Sequence, residues 1–239
     1  MYTDILLDVV NLGYKIFSEE DRYVTEIKST KVYKKFVIEM INAIRWLENT
    51  YLTENGSIYF LYDNYDSKEK LKNFLETGIP TSVEKRKDVL KEYKKNRKKE
   101  TNYFYASLDF LKYYFSLDKE NYKIVYIQGL EADDLVKPCL SYIKKKNPLA
   151  KILLVTNDFD WYRYIELGKV DILPELTKEP FTHEDFLKKY KFPPSEEKLL
   201  LYKLFYGDKS DNIKPVLSTV FSEEEKLEIL RKYNSVLDF

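Results

Sequence analysis

The sequence predicts an α/β fold in which a mostly parallel central sheet carries helices on both faces. Short apolar runs of strand length recur along the first 180 residues and alternate with longer segments of helical periodicity. This alternation is typical of parallel strands joined by helices. Most of these runs are followed by aspartate or glutamate. Because the carboxyl ends of parallel strands share one edge of a sheet, we expect acidic side chains to collect there.

The elements of the first hundred residues follow from local patterns. Residues 4–10 and 57–62 are continuous apolar runs that suit strands covered on both faces. Between them, apolar residues recur at helical spacing over residues 31–50. Asn55-Gly56 favours a turn before the second strand.

A basic segment follows the second strand. Residues 84–100 contain nine Lys and Arg residues and four acids. A charge run of this kind is usually only a solvated helix face. Here Tyr93, Lys94 and Arg97 fall on or near one helical surface, since residues three and four apart are neighbours. Cations meet phosphates and an aromatic ring stacks a base, so this surface is a candidate nucleic-acid contact.

The second half of the core repeats the alternation. Residues 103–115 have a helical pattern, and residues 122–127 form the third predicted strand. The next helix runs to about Lys146, before a fourth strand at residues 151–155 and a short fifth strand at residues 169–173.

From Phe181 onward the pattern is helical, with no further strand. Pro193-Pro194 separates two helices, and the second ends at Gly207. The following Asp208 and Asp211 supply two oxygen donors on a compact loop, although these residue types also suit an ordinary polar turn.

Seven acids lie at or just past the ends of four predicted strands. They are Asp8, Asp63, Glu131, Asp133, Asp134, Asp158 and Asp160. Acids are ordinary at a helix N-terminus, where the dipole favours them. Crowded carboxylates nevertheless repel one another, and hard divalent cations held by oxygen ligands relieve that repulsion. Seven acids converging on one edge therefore favour a metal centre.

Composition excludes several classes of function. The 239 residues carry 40 Lys and Arg against 40 Asp and Glu, so overall charge says nothing about partners. Cys139 is the single cysteine and cannot form an internal disulfide, which fits a reducing compartment. His183 is the single histidine and is expected to be exposed at a helix start, which argues against histidine catalysis. With neither an apolar membrane span nor a signal-peptide pattern, we expect a soluble cytoplasmic protein.

Six short motifs follow one another along the chain: Leu7-Asp8, Tyr62-Asp63, Glu92-Tyr93-Lys94-Lys95-Asn96-Arg97, Gly129-Leu130-Glu131-Ala132-Asp133-Asp134, Thr156-Asn157-Asp158-Phe159-Asp160 and Gly207-Asp208-Lys209-Ser210-Asp211-Asn212-Ile213. Their order resembles that of the 5′-nuclease family, which includes flap endonucleases, polymerase 5′-nuclease domains and phage 5′-3′ exonucleases. The resemblance covers nearly the whole chain. It implies a PIN-like nuclease core over residues 1–180, a helical arch over about 64–105, and a C-terminal helical region over 181–239.

The resemblance also assigns roles. The first metal ion would be held by Asp8, Asp63, Glu131 and Asp133, with Asp134 beside them. The second would be held by Asp158, Asp160, Asp208 and Asp211. Contacts with DNA would come from Tyr93, Lys94, Arg97, Lys85 and Arg86, with Lys94 and Arg97 at the scissile phosphate. Oxygen ligands favour two Mg²⁺ or Mn²⁺ ions.

The chain departs from the family pattern at two places, and the second changes what we expect of its binding to duplex DNA. The family commonly has glycine after the first aspartate, where this chain has Val9-Val10. The family also continues after Asn212-Ile213 with a glycine-containing helix-hairpin-helix that grips duplex DNA, often through K⁺. The segment 214–220 contains no glycine, which argues against the tight hairpin and its K⁺ ion.

We therefore expect a metal-dependent 5′-nuclease acting on single-stranded 5′ ends or flaps of DNA. RNA primers in RNA–DNA hybrids are a further expected substrate, and a replication protein a further partner. If the protein is phage-encoded, its compartment is the host cytoplasm. A PIN-type endoribonuclease and an inactive nucleic-acid-binding subunit of a replication assembly are the alternatives. The first would share the acidic edge without needing the basic arch, and the second would be expected to lose acids.

Overall fold

The computed structural model of the chain describes residues 1–18, 23–27, 30–63, 102–208, 214–215 and 220–233. The strands are β1 (Tyr2–Asp8), β2 (Val24–Ile27), β3 (Thr30–Tyr33), β4 (Leu52–Leu61), β5 (Tyr122–Val125), β6 (Ile152–Val155) and β7 (Val170–Leu173). The α-helices are α1 (Val9–Ile16), α2 (Lys34–Tyr51), α3 (Asn102–Ser116), α4 (Ala132–Lys146), α5 (His183–Tyr190), α6 (Glu196–Tyr206) and α7 (Glu223–Lys232). A 3₁₀ helix covers Phe159–Tyr164.

The central sheet has five parallel strands in the order β5-β4-β1-β6-β7. In the middle strand, Leu6 pairs with Tyr59 on one side and with Leu154 on the other. Successive side chains of a strand face opposite sides of a sheet. Ile5 and Leu7 accordingly belong to one fully buried core and Leu6 to another.

Helices cover both faces of the sheet, as predicted. The first core is built with apolar residues of α1, α2 and α3, such as Phe36 and Phe104. The second core contains residues of α4, the 3₁₀ helix, α5, α6 and α7, such as Val136, Trp161 and Phe205. Strands buried on both faces explain why their sequences are continuous apolar runs rather than alternating ones.

Two local predictions about the first sixty residues are wrong. The helix predicted from Lys31 begins at Lys34, because Thr30–Tyr33 pairs antiparallel with Val24–Ile27 in a small hairpin that the periodicity did not reveal. Asn55-Gly56 does not precede the second strand but lies inside β4. The register shifts there, and a Cβ atom on Gly56 would come within 2.8 Å of the Thr3 carbonyl oxygen, so a side chain would not fit.

The C-terminal part is helical in the residues that the structure describes, as predicted. Pro193-Pro194 lies between α5 and α6, and Gly207 closes α6 with a positive φ of 73°, a conformation that favours glycine. His183 begins α5 as predicted, but it is half-buried rather than exposed. The buried Lys198 reaches the carbonyl oxygens of Leu230 and Tyr233, both 2.5 Å away, at the end of α7. This contact ties α7 to α6.

The predicted arch falls mostly outside the described residues, which resume with α3 at Asn102. The predicted domain boundary near residue 180 remains a prediction. Cys139 is buried in α4 as a free thiol, as expected. In the described part of the chain, no helix has both the length and the apolarity needed to cross a membrane.

Candidate metal centre

The candidate centre lies at the carboxyl end of β1, where the strand order of the sheet reverses. From β1 the chain adds β4 and β5 on one side, and then returns to add β6 and β7 on the other. Ligand sites of open α/β sheets form at such switch points, beyond the carboxyl ends of the strands. Here Asp8 ends β1 and Thr156 follows β6. The Thr156 hydroxyl donates to Oδ2 of Asp8 over 3.2 Å.

Asp8 is a buried acid at the end of the middle strand. Its side chain is 7% exposed, and its Oδ1 atom caps α1 by accepting the backbone N–H of Asn11 at 3.0 Å. Burial raises the pKa of Asp8 well above its usual range, and the charges of Asp63, Asp133 and Asp158 raise it further. Three carboxylates from different parts of the chain therefore lie near enough to Asp8 for their charges to act on it.

The other acids of the first group are held by the N-terminus of α4. Oδ1 of Asp63 accepts the backbone N–H of Ala132 at 2.7 Å. Oδ2 of Asp134 folds back to the backbone N–H of Glu131 at 3.0 Å. The Glu131 side chain is buried. The positive end of the helix dipole stabilises negative charge at these positions. Asp134 thus caps the helix as well as lying beside the centre.

The second predicted group contains a basic residue that the sequence analysis missed. Nζ of Lys203 lies 2.5 Å from Oδ1 of Asp160 and 2.6 Å from Oδ2 of Asp208. Burial alone would lower the pKa of Lys203, but the two carboxylates outweigh burial and raise it. Asp158 caps the 3₁₀ helix by accepting the backbone N–H of Asp160 at 2.9 Å. An ammonium group therefore bridges part of this acidic group.

The donor chemistry of the two groups fits divalent cations. All predicted ligands are carboxylates, the ligand type that hard cations such as Mg²⁺ and Mn²⁺ prefer. Burial raises the pKa of Asp8, and repulsion from the neighbouring acids, which a cation would relieve, raises it further. Among the described residues, no group of three or more Asp, Glu, Cys or His side chains is arranged so that it could hold a metal ion. The suitability of these acids for divalent cations is therefore argued from their residue type and their charges.

Several predicted site residues cannot be placed. Six of them lie outside the described residues: Lys85, Arg86, Tyr93, Lys94, Arg97 and Asp211. Their roles remain predictions from the resemblance.

Two further residues of the centre became evident only from the structure. Trp161 and Thr156 contact acids that are distant in sequence, through hydrogen bonds to Asp133 and Asp8 respectively. Thr156 opens the motif that contains Asp158, but the sequence did not indicate its contact with Asp8, and Trp161 has no pattern beyond that of a core residue. The sequence contains a weak indication of the role of Lys203. A lysine within the otherwise apolar stretch 199–205 is expected to be buried only if an acid pairs with it.

Comparison with known proteins shows the family and the fold of the chain. The sequence matches the family described as "5′-3′ exonuclease, N-terminal resolvase-like domain" over residues 4–191. A search of curated proteins found no match. A bacteriophage T5 protein crystallised with metal ions shares the fold with a TM-score of 0.63 and 21% identity, over 98% of this chain and 77% of that chain.

Two other solved structures from T5 give the same result. A T5 flap endonuclease variant, in a pseudo-enzyme–product complex with DNA and metal ions, matches with a TM-score of 0.63 and 21% identity, over 98% of this chain and 76% of that chain. The T5 5′-exonuclease with bound zinc matches with a TM-score of 0.62 and 21% identity, over 98% and 77%. The structural likeness shows a common PIN-like fold, and the sequence match over most of the chain shows descent. The chain belongs to the 5′-3′ exonuclease family, also called the 5′-nucleases.

Proposed function

We propose that the protein is a metal-dependent 5′-nuclease that hydrolyses phosphodiester bonds of DNA, as a 5′-3′ exonuclease or a flap endonuclease. The observation that carries this proposal is the position of the buried Asp8 at the switch point of the sheet, with Asp63, Asp133 and Asp158 near enough for their charges to act on it. Membership of the 5′-3′ exonuclease family supports it. So does the presence of DNA and metal ions in the complex of the T5 flap endonuclease.

Two divalent cations, Mg²⁺ or Mn²⁺, would occupy the two acidic groups. The first would use Asp8, Asp63, Glu131 and Asp133, with Asp134 beside them, and the second Asp158, Asp160, Asp208 and Asp211. When bound, two such ions lower the pKa of water and neutralise charge on the attacking and leaving oxygens. Because water with a pKa lowered in this way would be the nucleophile, the reaction would need no histidine base. This agrees with the single histidine of the chain.

The protein itself would supply positioning and charge. Thr156 and the backbone of Asn11 hold Asp8, and the backbone of Ala132 holds Asp63. Lys203 offsets the charge of Asp160 and Asp208. Lys94 and Arg97 would contact the scissile phosphate, where charge develops during the reaction.

The substrate would be DNA with a single-stranded 5′ end or a 5′ flap, and an RNA primer paired with DNA is a further candidate. A replication protein would be the partner that places the enzyme on DNA. The absence of glycine from segment 214–220 supports this, because without a tight phosphate-binding hairpin the protein's own grip on duplex DNA is expected to be weak.

The test is degradation of labelled substrates by the purified protein. Single-stranded DNA, a 5′ flap, a nicked duplex and single-stranded RNA are each incubated with Mg²⁺, with Mn²⁺ or with EDTA. Separate 5′ and 3′ labels report polarity. We expect cleavage of DNA from the 5′ side with either metal and none in EDTA.

Three outcomes would overturn the proposal. Cleavage of RNA but not DNA would identify a PIN-type endoribonuclease. DNA binding without cleavage in either metal would identify an inactive binding subunit. Cleavage that persists in EDTA would exclude the metal mechanism.

A further inference from the structure

The indole of Trp161 donates a hydrogen bond to one of the candidate metal ligands. Its Nε1 atom lies 2.6 Å from Oδ1 of Asp133, and the side chain is fully buried. An indole has one N–H donor and no acceptor, and when buried that donor needs a partner. Here the partner is a carboxylate, which makes the hydrogen bond shorter and stronger than one between neutral groups.

This hydrogen bond joins the elements that carry the two groups of acids. Asp133 lies in the first turn of α4. Trp161 lies in the 3₁₀ helix, directly after Asp160 and three residues after Asp158, which caps that helix. A movement of the 3₁₀ helix away from α4 would break the bond and change the spacing of the two groups. Trp161 therefore links the geometry of one group to that of the other.

The surroundings of Trp161 make its N–H a rigid donor. The ring belongs to the second core, which also contains the fully buried Val136 of α4 and Phe205 of α6. Close packing in a protein interior leaves a large aromatic side chain little rotational freedom. Asp133 lies near enough to the buried Asp8 for its charge to act on that acid, and the indole N–H helps to hold the Asp133 carboxylate in this position.

We propose that Trp161 is a positioning residue that holds Oδ1 of Asp133, and so fixes the carboxylate for binding a divalent cation between α4 and the strand ends. This inference rests on the proposed function and deepens it. Hydrogen-bond partners of metal ligands typically change metal affinity by about 10–100-fold. Two consequences follow. Removing the donor weakens cation binding, and the indole N–H itself responds when a cation binds Asp133.

The first test compares Trp161→Phe with wild type by calorimetric titration of Mn²⁺ into the full chain. Phenylalanine keeps an aromatic ring in the core and removes only the donor and part of the ring. We expect at least about tenfold weaker Mn²⁺ binding. Phe186→Leu is the matched control, because Phe186 is fully buried in the same core and its ring packs against Tyr190 and Phe192. Unchanged Mn²⁺ affinity in Trp161→Phe, or an equal loss in Phe186→Leu, would overturn the inference.

The second test needs no change at Trp161. The chain has two tryptophans, and Trp46 lies on α2 with 39% of its surface exposed. In Trp46→Phe protein, the one remaining indole N–H signal in a ¹H–¹⁵N spectrum belongs to Trp161. We expect this signal to shift on titration with Mg²⁺ and to return after EDTA. A signal that stays in place while calorimetry records Mg²⁺ binding would contradict the role of Trp161.

These readouts separate this inference from the proposed function. If wild type binds Mn²⁺ in a Trp161-dependent way but cleaves no nucleic acid, the positioning role stands and the nuclease proposal fails. If wild type is a Mg²⁺-dependent nuclease but Trp161→Phe binds Mn²⁺ as tightly as wild type, the nuclease proposal stands and the positioning role fails.

Discussion

Nζ of Lys203, in α6, lies 2.5 Å from Oδ1 of Asp160, in the 3₁₀ helix. The same ammonium group lies 2.6 Å from Oδ2 of Asp208, and the lysine side chain is 9% exposed. A cation of the protein therefore stands between two acids proposed to bind a metal ion. Because two neighbouring carboxylates repel each other without a positive partner, this partly buried ion pair stabilises the metal-free protein.

Replacement of Lys203 by methionine should lower the free energy of unfolding in EDTA by about 2 kcal/mol, because Asp160 and Asp208 lose their positive partner. Mg²⁺ should raise the stability of this variant more than that of wild type, since the ion can take over the role of the ammonium group. Urea unfolding with and without Mg²⁺ measures both effects.

Lys169→Met is the control for that experiment. Lys169 pairs with Glu166 at 3.3 Å, and both side chains are more than 40% exposed, so the loss should be at most about 0.5 kcal/mol. An unchanged unfolding free energy for Lys203→Met in EDTA would show that the Lys203 pairs contribute nothing to stability.

Asp158→Asn should abolish nuclease activity, with the rate falling by at least about 100-fold in Mg²⁺. The fold should remain intact, because an asparagine side chain can still cap the 3₁₀ helix as Asp158 does through the N–H of Asp160. Single-turnover cleavage of 5′-labelled DNA measures the rate. Asp4→Asn is the control, since Asp4 lies near the opposite end of β1 and should leave the rate unchanged. Full activity of Asp158→Asn with Mg²⁺ as the only metal would contradict the metal assignment.

The same Asp158→Asn variant should be at least as thermally stable as wild type in EDTA at neutral pH. Burial, followed by repulsion from Asp63, Asp133 and Asp158, raises the pKa of Asp8. A raised carboxyl pKa means that the folded state binds the proton more tightly than the unfolded state, so wild type loses stability as pH rises through that pKa. The gain from removing Asp158 should therefore be present at neutral pH and shrink as pH falls below the raised pKa of Asp8. Thermal unfolding at a series of pH values tests this, and a gain that grows toward acid pH would refute it.

Lys94→Ala and Arg97→Ala should each weaken contact with phosphate. If Arg97 touches the scissile phosphate, its loss should lower the single-turnover rate by more than it lowers DNA affinity, because that contact strengthens as charge develops. Rate and affinity are measured on the same flap DNA, with affinity in Ca²⁺. A loss confined to affinity, with a flatter salt dependence, would make these residues general backbone contacts.

Cys139 should react slowly with iodoacetamide in the folded protein. Burial raises the pKa of its thiol to about 11, so the thiolate fraction at pH 8 is on the order of 0.001. We expect alkylation about 100-fold slower than in urea-unfolded protein, followed by mass spectrometry on this single-cysteine chain. Equal rates in folded and unfolded protein would mean that the thiol is accessible and unperturbed.

The isolated protein should discriminate poorly between a 5′ flap and a plain single-stranded 5′ end. Segment 214–220 lacks the glycine that a tight phosphate-binding hairpin needs, and the overall charge is zero. Binding of Asp158→Asn protein to matched flap, single-stranded and duplex DNA is measured over a salt series. A preference for the flap of tenfold or more (about 1.4 kcal/mol) would show that the C-terminal segment grips duplex DNA after all.

Local patterns in the sequence predicted most of the fold. The strands of the parallel sheet are apolar runs because both of their faces are buried, and that burial leaves a signature in the sequence itself. The helix after Glu131 and the end of α6 at Gly207 were predicted from the same local signals. The β2–β3 hairpin was not, because its strands have only four residues each and only Val32 and Tyr33 are buried, so neither strand contains a continuous apolar run.

The sequence by itself also determined that the acids would lie at one edge, because each follows a strand and the strands are parallel. Only the tertiary structure decided which groups meet there. Asp8 is 148 residues from Thr156, and Lys203 reaches Asp160 from a different helix. These contacts depend on how β1, β6 and α6 pack, and packing between elements leaves no periodic pattern along the chain. Trp161 is the clearest example. The sequence indicates only a large residue of the core, and the hydrogen bond from its N–H to Asp133 is seen only in the folded protein.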